Sequence, residues 1–133
     1  MKVTTQWQND LVFKGETADG HQILMDSDGK HASPMQMVLL AIGGCSSIDV
    51  VMILQRARQD ITDCHCEITG DRAETIPKVF EKIHAHYTVK GRNLNQEQVK
   101  RACNLSMEKY CSVSLMLKGK VEVTYSVDII EEA

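Results

Sequence analysis

The chain has little of what marks a specialised class of protein. Two prolines and eight glycines in 133 residues exclude collagen-like and low-complexity chains, and 43% hydrophobic with 25% charged residues excludes a disordered one. It has no excess of positive charge: 15 Lys and Arg against 18 Asp and Glu give a formal charge of -3. That balance offers no general attraction to phosphate backbones or anionic lipid, so nucleic acid is not an expected partner. Met1 to Trp7 carries one lysine but no apolar leader and no small-residue cleavage site, and export is not expected. Five cysteines, at 45, 64, 66, 103 and 111, do not make the even framework of a secreted scaffold. Reduced thiols in the cytoplasm are the expectation. GxSxG, a phosphate loop, the dinucleotide glycine fingerprint, HExxH and Cys-x-x-Cys are all missing.

At 14.9 kDa the chain has the mass of one domain over 1–133, able to bury roughly two thirds of its extended surface. Residues 2–8, 11–17 and 21–25 read as short strands separated by Asn9-Asp10 and Asp19-Gly20. Ser33-Pro34 reads as a helix start, with serine as cap and proline where its missing N–H costs nothing. From Pro34 to about Ala57 the run is apolar nearly all round, which predicts a helix buried on most sides. Met37–Leu54 alone is 18 residues long with one charge, Asp49. Gly43-Gly44, Ser46-Ser47 and Asp49 argue for a buried helix over a membrane span. Three short strands cannot cover such a helix, so the remaining sheet and a partner chain are expected to wrap it.

After Asp60 the period changes to two. Cys64, Cys66 and Ile68 alternate with polar residues, and from 79 on Val79, Ile83, Ala85, Tyr87 and Val89 share one face, with Glu81 and Phe80 as exceptions. A hairpin link at Asp71–Lys78 joins the two strands. Asn95 and Gln98 form a weak capping box for a helix to about Tyr110, followed by a short helix Cys111–Leu117 stopped at Lys118-Gly119. Val121 to Ile129 alternates as a final strand. The class is α+β.

Cys64-x-Cys66 and His84-x-His86 have ligand chemistry for zinc, but strand alternation puts them on opposite faces, so core thiols and surface histidines are expected and no metal. Cys103 falls on the apolar stripe of its helix, which predicts inert packing. Cys45 follows two mid-helix glycines that cost roughly 1 kcal/mol each in propensity. The space they leave should serve either a close crossing or access to the thiol. Asp49, one turn on, would raise the Cys45 pKa unless neutralised or turned away. Cys111 opens a helix, where free N–H groups favour the thiolate; a buried thiol at a kink is the alternative.

Ser33-Pro34-Met35-Gln36 through Gly43-Gly44-Cys45-Ser46, taken with Cys111-Ser112-Val113-Ser114, resembles the OsmC/Ohr family. The order of elements is similar over nearly the whole chain. The resemblance implies an OsmC-like α+β fold, with antiparallel sheets wrapped around central helices in an intertwined homodimer. It also implies a site at the subunit interface. There Cys45 would reduce an organic hydroperoxide and Cys111 would resolve it as a disulfide for an external dithiol, with no cofactor. The sequence departs from the family pattern in the residues around these thiols. No arginine precedes Arg56; upstream stand only Lys2, Lys14 and Lys30, which lack the bidentate fork. Gln36 occupies the family's helix-start glutamate, and Ser112 stands where proline usually follows the second cysteine. Arg56, Arg58 or Lys30 could substitute in space for the missing arginine. The alternative expectation is a non-catalytic binding protein holding a small hydrophobic or thiol-bearing ligand in the interface cleft.

Overall fold

Turn chemistry and capping set the first thirty-eight residues. In a computed structural model describing residues 1–133, β1 (Val3–Asn9), β2 (Val12–Thr17) and β3 (Gln22–Met25) form an antiparallel meander. Asp10 takes the left-handed conformation in the first turn, and its carbonyl accepts the Trp7 indole N–H at 2.7 Å. A loop follows in which the buried Asp26 carboxylate accepts the amides of Lys30 and His31, each at 3.2 Å. Then α1 (Pro34–Arg56) starts with reciprocal capping: the Gln36 amide N–H donates to Ser33 Oγ, and the Ser33 N–H donates to Gln36 Oε1. The chain divides into two compact units, Met1–Val38 and Leu39–Ala133.

The second unit holds most of α1, β4 (Asp60–Arg72), β5 (Phe80–Arg92), α2 (Gln96–Leu105), a π-helical turn (Ser106–Tyr110), α3 (Ser112–Leu117) and β6 (Glu122–Glu131). Sheet order is β4-β5-β6. The β4–β5 pair is antiparallel, as alternation and a tight link require. The β5–β6 pair is parallel, from Lys82↔Glu122 to Gly91↔Glu131. The expected purely antiparallel arrangement is thus corrected. The α2–π–α3 segment is a crossover that returns the chain to the end where β5 began, and β6 then runs alongside it.

Alternation along β5 is nearly complete on the core side. Ile83 is 1% exposed, and Ala85, Tyr87 and Val89 are fully buried. Phe80, out of phase with these residues, is buried as well. A register shift where Phe80 pairs with Arg72 inserts one extra residue and turns the ring back to the core. Gly70 makes room for it: a Cβ there would lie 2.7 Å from the ring. Val99, Ala102 and Cys103 of α2 complete this core with Ile42, Val50 and Leu54 of α1.

The expectation that α1 is buried on most sides is corrected for the single chain. Ile42, Ser46, Val50 and Leu54, four residues apart, form the buried line. Leu40 and Ile48 are 64% and 63% exposed, and Met52 with Gly44 continues that stripe. By length and composition α1 is long and apolar enough to cross a membrane, yet its buried line packs inside a folded unit. The glycine pair divides its tasks. Gly43 lets Ile68 of β4 approach, a Cβ there falling 3.3 Å from the Ile68 side chain, whereas Gly44 faces open space.

Candidate functional site

Ser46 is fully buried beside Cys45, and its hydroxyl is the hub of a polar network inside the core. It contacts the Tyr87 hydroxyl of β5 and lies 2.9 Å from Ser106 Oγ. Ser106 Oγ is in turn 3.0 Å from an Asp49 carboxylate oxygen and 3.3 Å from the Ser46 carbonyl. Ser106 O–H donates to Asp49, so its oxygen is left to accept from Ser46, and Ser46 in turn accepts from Tyr87. Every buried side-chain polar atom in the chain has a partner. Burial pushes the Tyr87 hydroxyl far above its ordinary pKa, against the pull of the Ser46 hydrogen bond. The Asp49 carboxylate, one turn beyond Cys45, is therefore engaged by a hydroxyl.

Ser106 also begins the π turn. The Cys111 N–H reaches back five residues to the Ser106 carbonyl at 2.7 Å, the wide spacing that defines this turn. One backbone hydrogen bond thus ties Cys111 to Ser106, and the Ser106 hydroxyl bonds to both the hydroxyl and the carbonyl of the residue after Cys45. By this route two thiols 66 positions apart in sequence are brought near each other, and the proximity of Cys45 adds to the upward push on the Cys111 pKa. Cys45 is half-buried, Cys111 fully buried, and both are free thiols.

Cys111 caps α3, as its position predicts, but the expected preference for thiolate is corrected. Burial raises its pKa above the ordinary thiol value. The Ser114 hydroxyl and amide pull it back down, Cys45 adds to the rise, and the net direction is up. Desolvation of the buried sulfur outweighs the few free amides of a six-residue helix.

Gln36 spends its amide oxygen on the Ser33 N–H at the start of α1. Cys64 and Cys66 sit on β4 opposite Val89 and Tyr87, and Cys103 is fully buried on α2. Burial raises the Cys64 pKa and pushes both Cys66 and Cys103 up to about 12, consistent with packing thiols. His84 and His86 are half-buried and bonded to β6. His84 contacts Thr124 at 2.7 Å and Ser126 at 2.8 Å; His86 contacts Ser126 at 2.6 Å and Asp128 at 3.0 Å. No group of three or more His, Cys, Asp or Glu side chains converges as a metal site. Sequence reasoning missed Tyr87 and Ser106 as supports of the thiol pair. Ser106 falls on the same apolar stripe as Cys103, which was the available signal.

The fold is α+β, with Cys45 on a long central helix and Cys111 at the start of a later short one. The OsmC-like protein profile matches residues 27–126, and the chain belongs to that family. It is 51% identical to Protein YhfA of Escherichia coli (strain K12) over 132 residues, 98% of each chain. A hypothetical protein from Aquifex aeolicus VF5 is 31% identical, with a TM-score of 0.91 over 99% of this chain and 97% of the other. The organic hydroperoxide resistance protein OsmC of Legionella pneumophila is 19% identical, with a TM-score of 0.73 over 96% and 97%. That last likeness is one of fold.

Ser106→Ala leaves the Asp49 carboxylate and the Ser46 hydroxyl short of a partner. It should cost about 1–3 kcal/mol in urea unfolding, as for other buried polar groups left unsatisfied. The thiols give a pH signature. An unfolded thiol ionises near 9.0, whereas folded Cys66 and Cys103 ionise near 12. Between these values the folded state holds more protons than the unfolded chain. Their stabilisation is therefore complete below about pH 9 and is lost as pH rises toward about 12. Unfolding curves across this range should show the decline, and Cys103→Ala should make it shallower.

Proposed function

We propose that the chain is a thiol-dependent reductant of organic hydroperoxides working through Cys45 and Cys111. The single observation that carries this reading is that two free thiols, Cys45 of α1 and Cys111 at the start of α3, lie in one unit and near enough for Cys45 to help raise the Cys111 pKa. The Cys45 thiolate attacks the distal peroxide oxygen, the O–O bond breaks, and the alkoxide leaves as an alcohol after taking a proton. Cys45 is then a sulfenic acid. Cys111 attacks the sulfenic sulfur, the S–O bond breaks, and water leaves, giving a Cys45–Cys111 disulfide. A small external dithiol reduces it and returns both thiols. The chemistry needs no cofactor, and it suits the reducing cytoplasm.

The reading includes a homodimer. Leu40, Gly44, Ile48 and Met52 form an apolar stripe four residues apart on the exposed side of α1, the face on which a second α1 would pack in the family's intertwined arrangement. Gly44, with nothing within 4 Å of its Cβ position, leaves room there for a close helix crossing. Gln36 would stand near the helix start as a neutral counterpart of the family's glutamate. The absence of any arginine before Arg56 leaves the activation of Cys45 to residues other than those the family pattern supplies.

A second reading, a non-catalytic binding protein for a small hydrophobic ligand, is favoured by one observation. A cavity of about 540 Å³ lies beside Asp49 and Tyr110, close in sequence to both thiols. The raised Cys111 pKa also weighs on this side, because a protonated thiol resolves slowly.

Stoichiometric cumene hydroperoxide should convert each chain to one Cys45–Cys111 disulfide, read by intact and peptide mass spectrometry. Cys45→Ser should abolish the reaction, and Cys111→Ser should stop it at a dimedone-trappable sulfenic acid. Oxidation no faster than that of free cysteine overturns the redox reading and leaves the binding one. In sedimentation velocity the wild type should run as a dimer, and Ile48→Glu should run as a folded monomer. A wild-type monomer overturns the dimer.

A further inference from the structure

The cavity between the second half of α1 and the α2–π segment has a lining unlike the rest of the surface. Met52, Ile53, Ala57, Leu105 and Tyr110 supply apolar walls, and Arg56 and Arg101 stand on opposite elements, with Asp49 the one carboxylate. The chain's ion pairs are Lys82–Glu122 and Arg92–Asp60, and His21, His65 and His86 lie beside Asp19, Asp63 and Asp128. Neither Arg56 nor Arg101 is among them, and neither guanidinium makes a side-chain hydrogen bond. The Asp49 carboxylate already accepts from Ser106.

We propose that this cavity binds an amphipathic monocarboxylate, its apolar stem against Met52, Ile53 and Leu105 and its carboxylate held by Arg56 and Arg101. The inference deepens the binding reading given above and requires neither thiol. Three properties select this ligand class. The volume lies within the range of about 300–1,000 Å³ usual for small-molecule sites, with mainly apolar walls and a few polar groups. Two planar guanidiniums with free donors match the forked geometry of a carboxylate. Two positive charges and one negative leave a net charge of one, which balances a monoanion and is insufficient for a phosphate dianion.

The test is isothermal titration of the full-length protein, in the oligomeric state it adopts, with octanoate, octan-1-ol and octylammonium. Octanoate should bind saturably, about tenfold or more tighter than octan-1-ol, as charged hydrogen bonds to arginine imply. Octylammonium should not bind, and added salt should weaken octanoate binding. Arg56→Gln and Arg101→Gln, each with wild-type circular dichroism, should each weaken octanoate about tenfold while leaving octan-1-ol unchanged. Cys45→Ser should bind octanoate as the wild type does, so the site stands or falls apart from the peroxide reaction. Equal affinity for octanoate and octan-1-ol overturns the proposal, as does indifference of both arginine variants. So would a crystal structure with a partner side chain filling the cavity.

Discussion

A chain of three buried hydroxyls ending on the half-buried Asp49 carboxylate ties the second unit together. Ser106 donates its one proton to Asp49, and this sets the direction of the protons from Tyr87 through Ser46 to Ser106. The network joins β5, the middle of α1 and the start of the π turn, three segments far apart in sequence. Apolar packing alone would tolerate small slides of α1 against the sheet, because Ile42, Val50 and Leu54 interact without direction. Hydrogen bonds in a dry interior do not tolerate them, since each unmade bond leaves a desolvated polar group.

The thiol centre inherits its geometry from that network. Cys45 precedes Ser46 on α1, and Cys111 hangs by its amide from the carbonyl of Ser106. The π turn inserts the extra residue that lets α2 end and α3 begin at the right place, a use of this rare turn common at functional positions. Its consequence for chemistry is two-sided. The fold places Cys45 and Cys111 in one unit, and the burial of Cys111 favours its protonated form. In the proposed pair, one member is held mainly as the neutral thiol.

The exposed stripe of α1 and the cavity at its far end belong to one helix with different demands on its faces. Ile42, Ser46, Val50 and Leu54 face the core; Leu40, Gly44, Ile48 and Met52 face outward; Arg56 closes the helix beside the cavity. A helix apolar all round has to meet apolar partners on more than one side. The single chain supplies only one of them. A partner copy packed on the outward stripe, as proposed above, would supply the second side, and the arginine-rimmed cavity would lie at the edge of that interface.

Much of the architecture was legible in the residues. Period-two alternation marked β4, β5 and β6, Ser33-Pro34 marked the start of α1, and Cys111 and Lys118 bounded α3, because these signals depend on neighbours a few positions away. The parallel sense of β6 was not legible, since alternation reads the same in either direction and the direction is decided by where the crossover delivers the chain. Phe80 stood out of phase until the register shift put it in the core. Chain chemistry alone supplied the thiols at 45 and 111 and the missing upstream arginine. Only the folded chain decided that Cys111 is buried and protonated, because a thiol's ionisation answers to the water excluded around it, and water is excluded by segments distant in sequence.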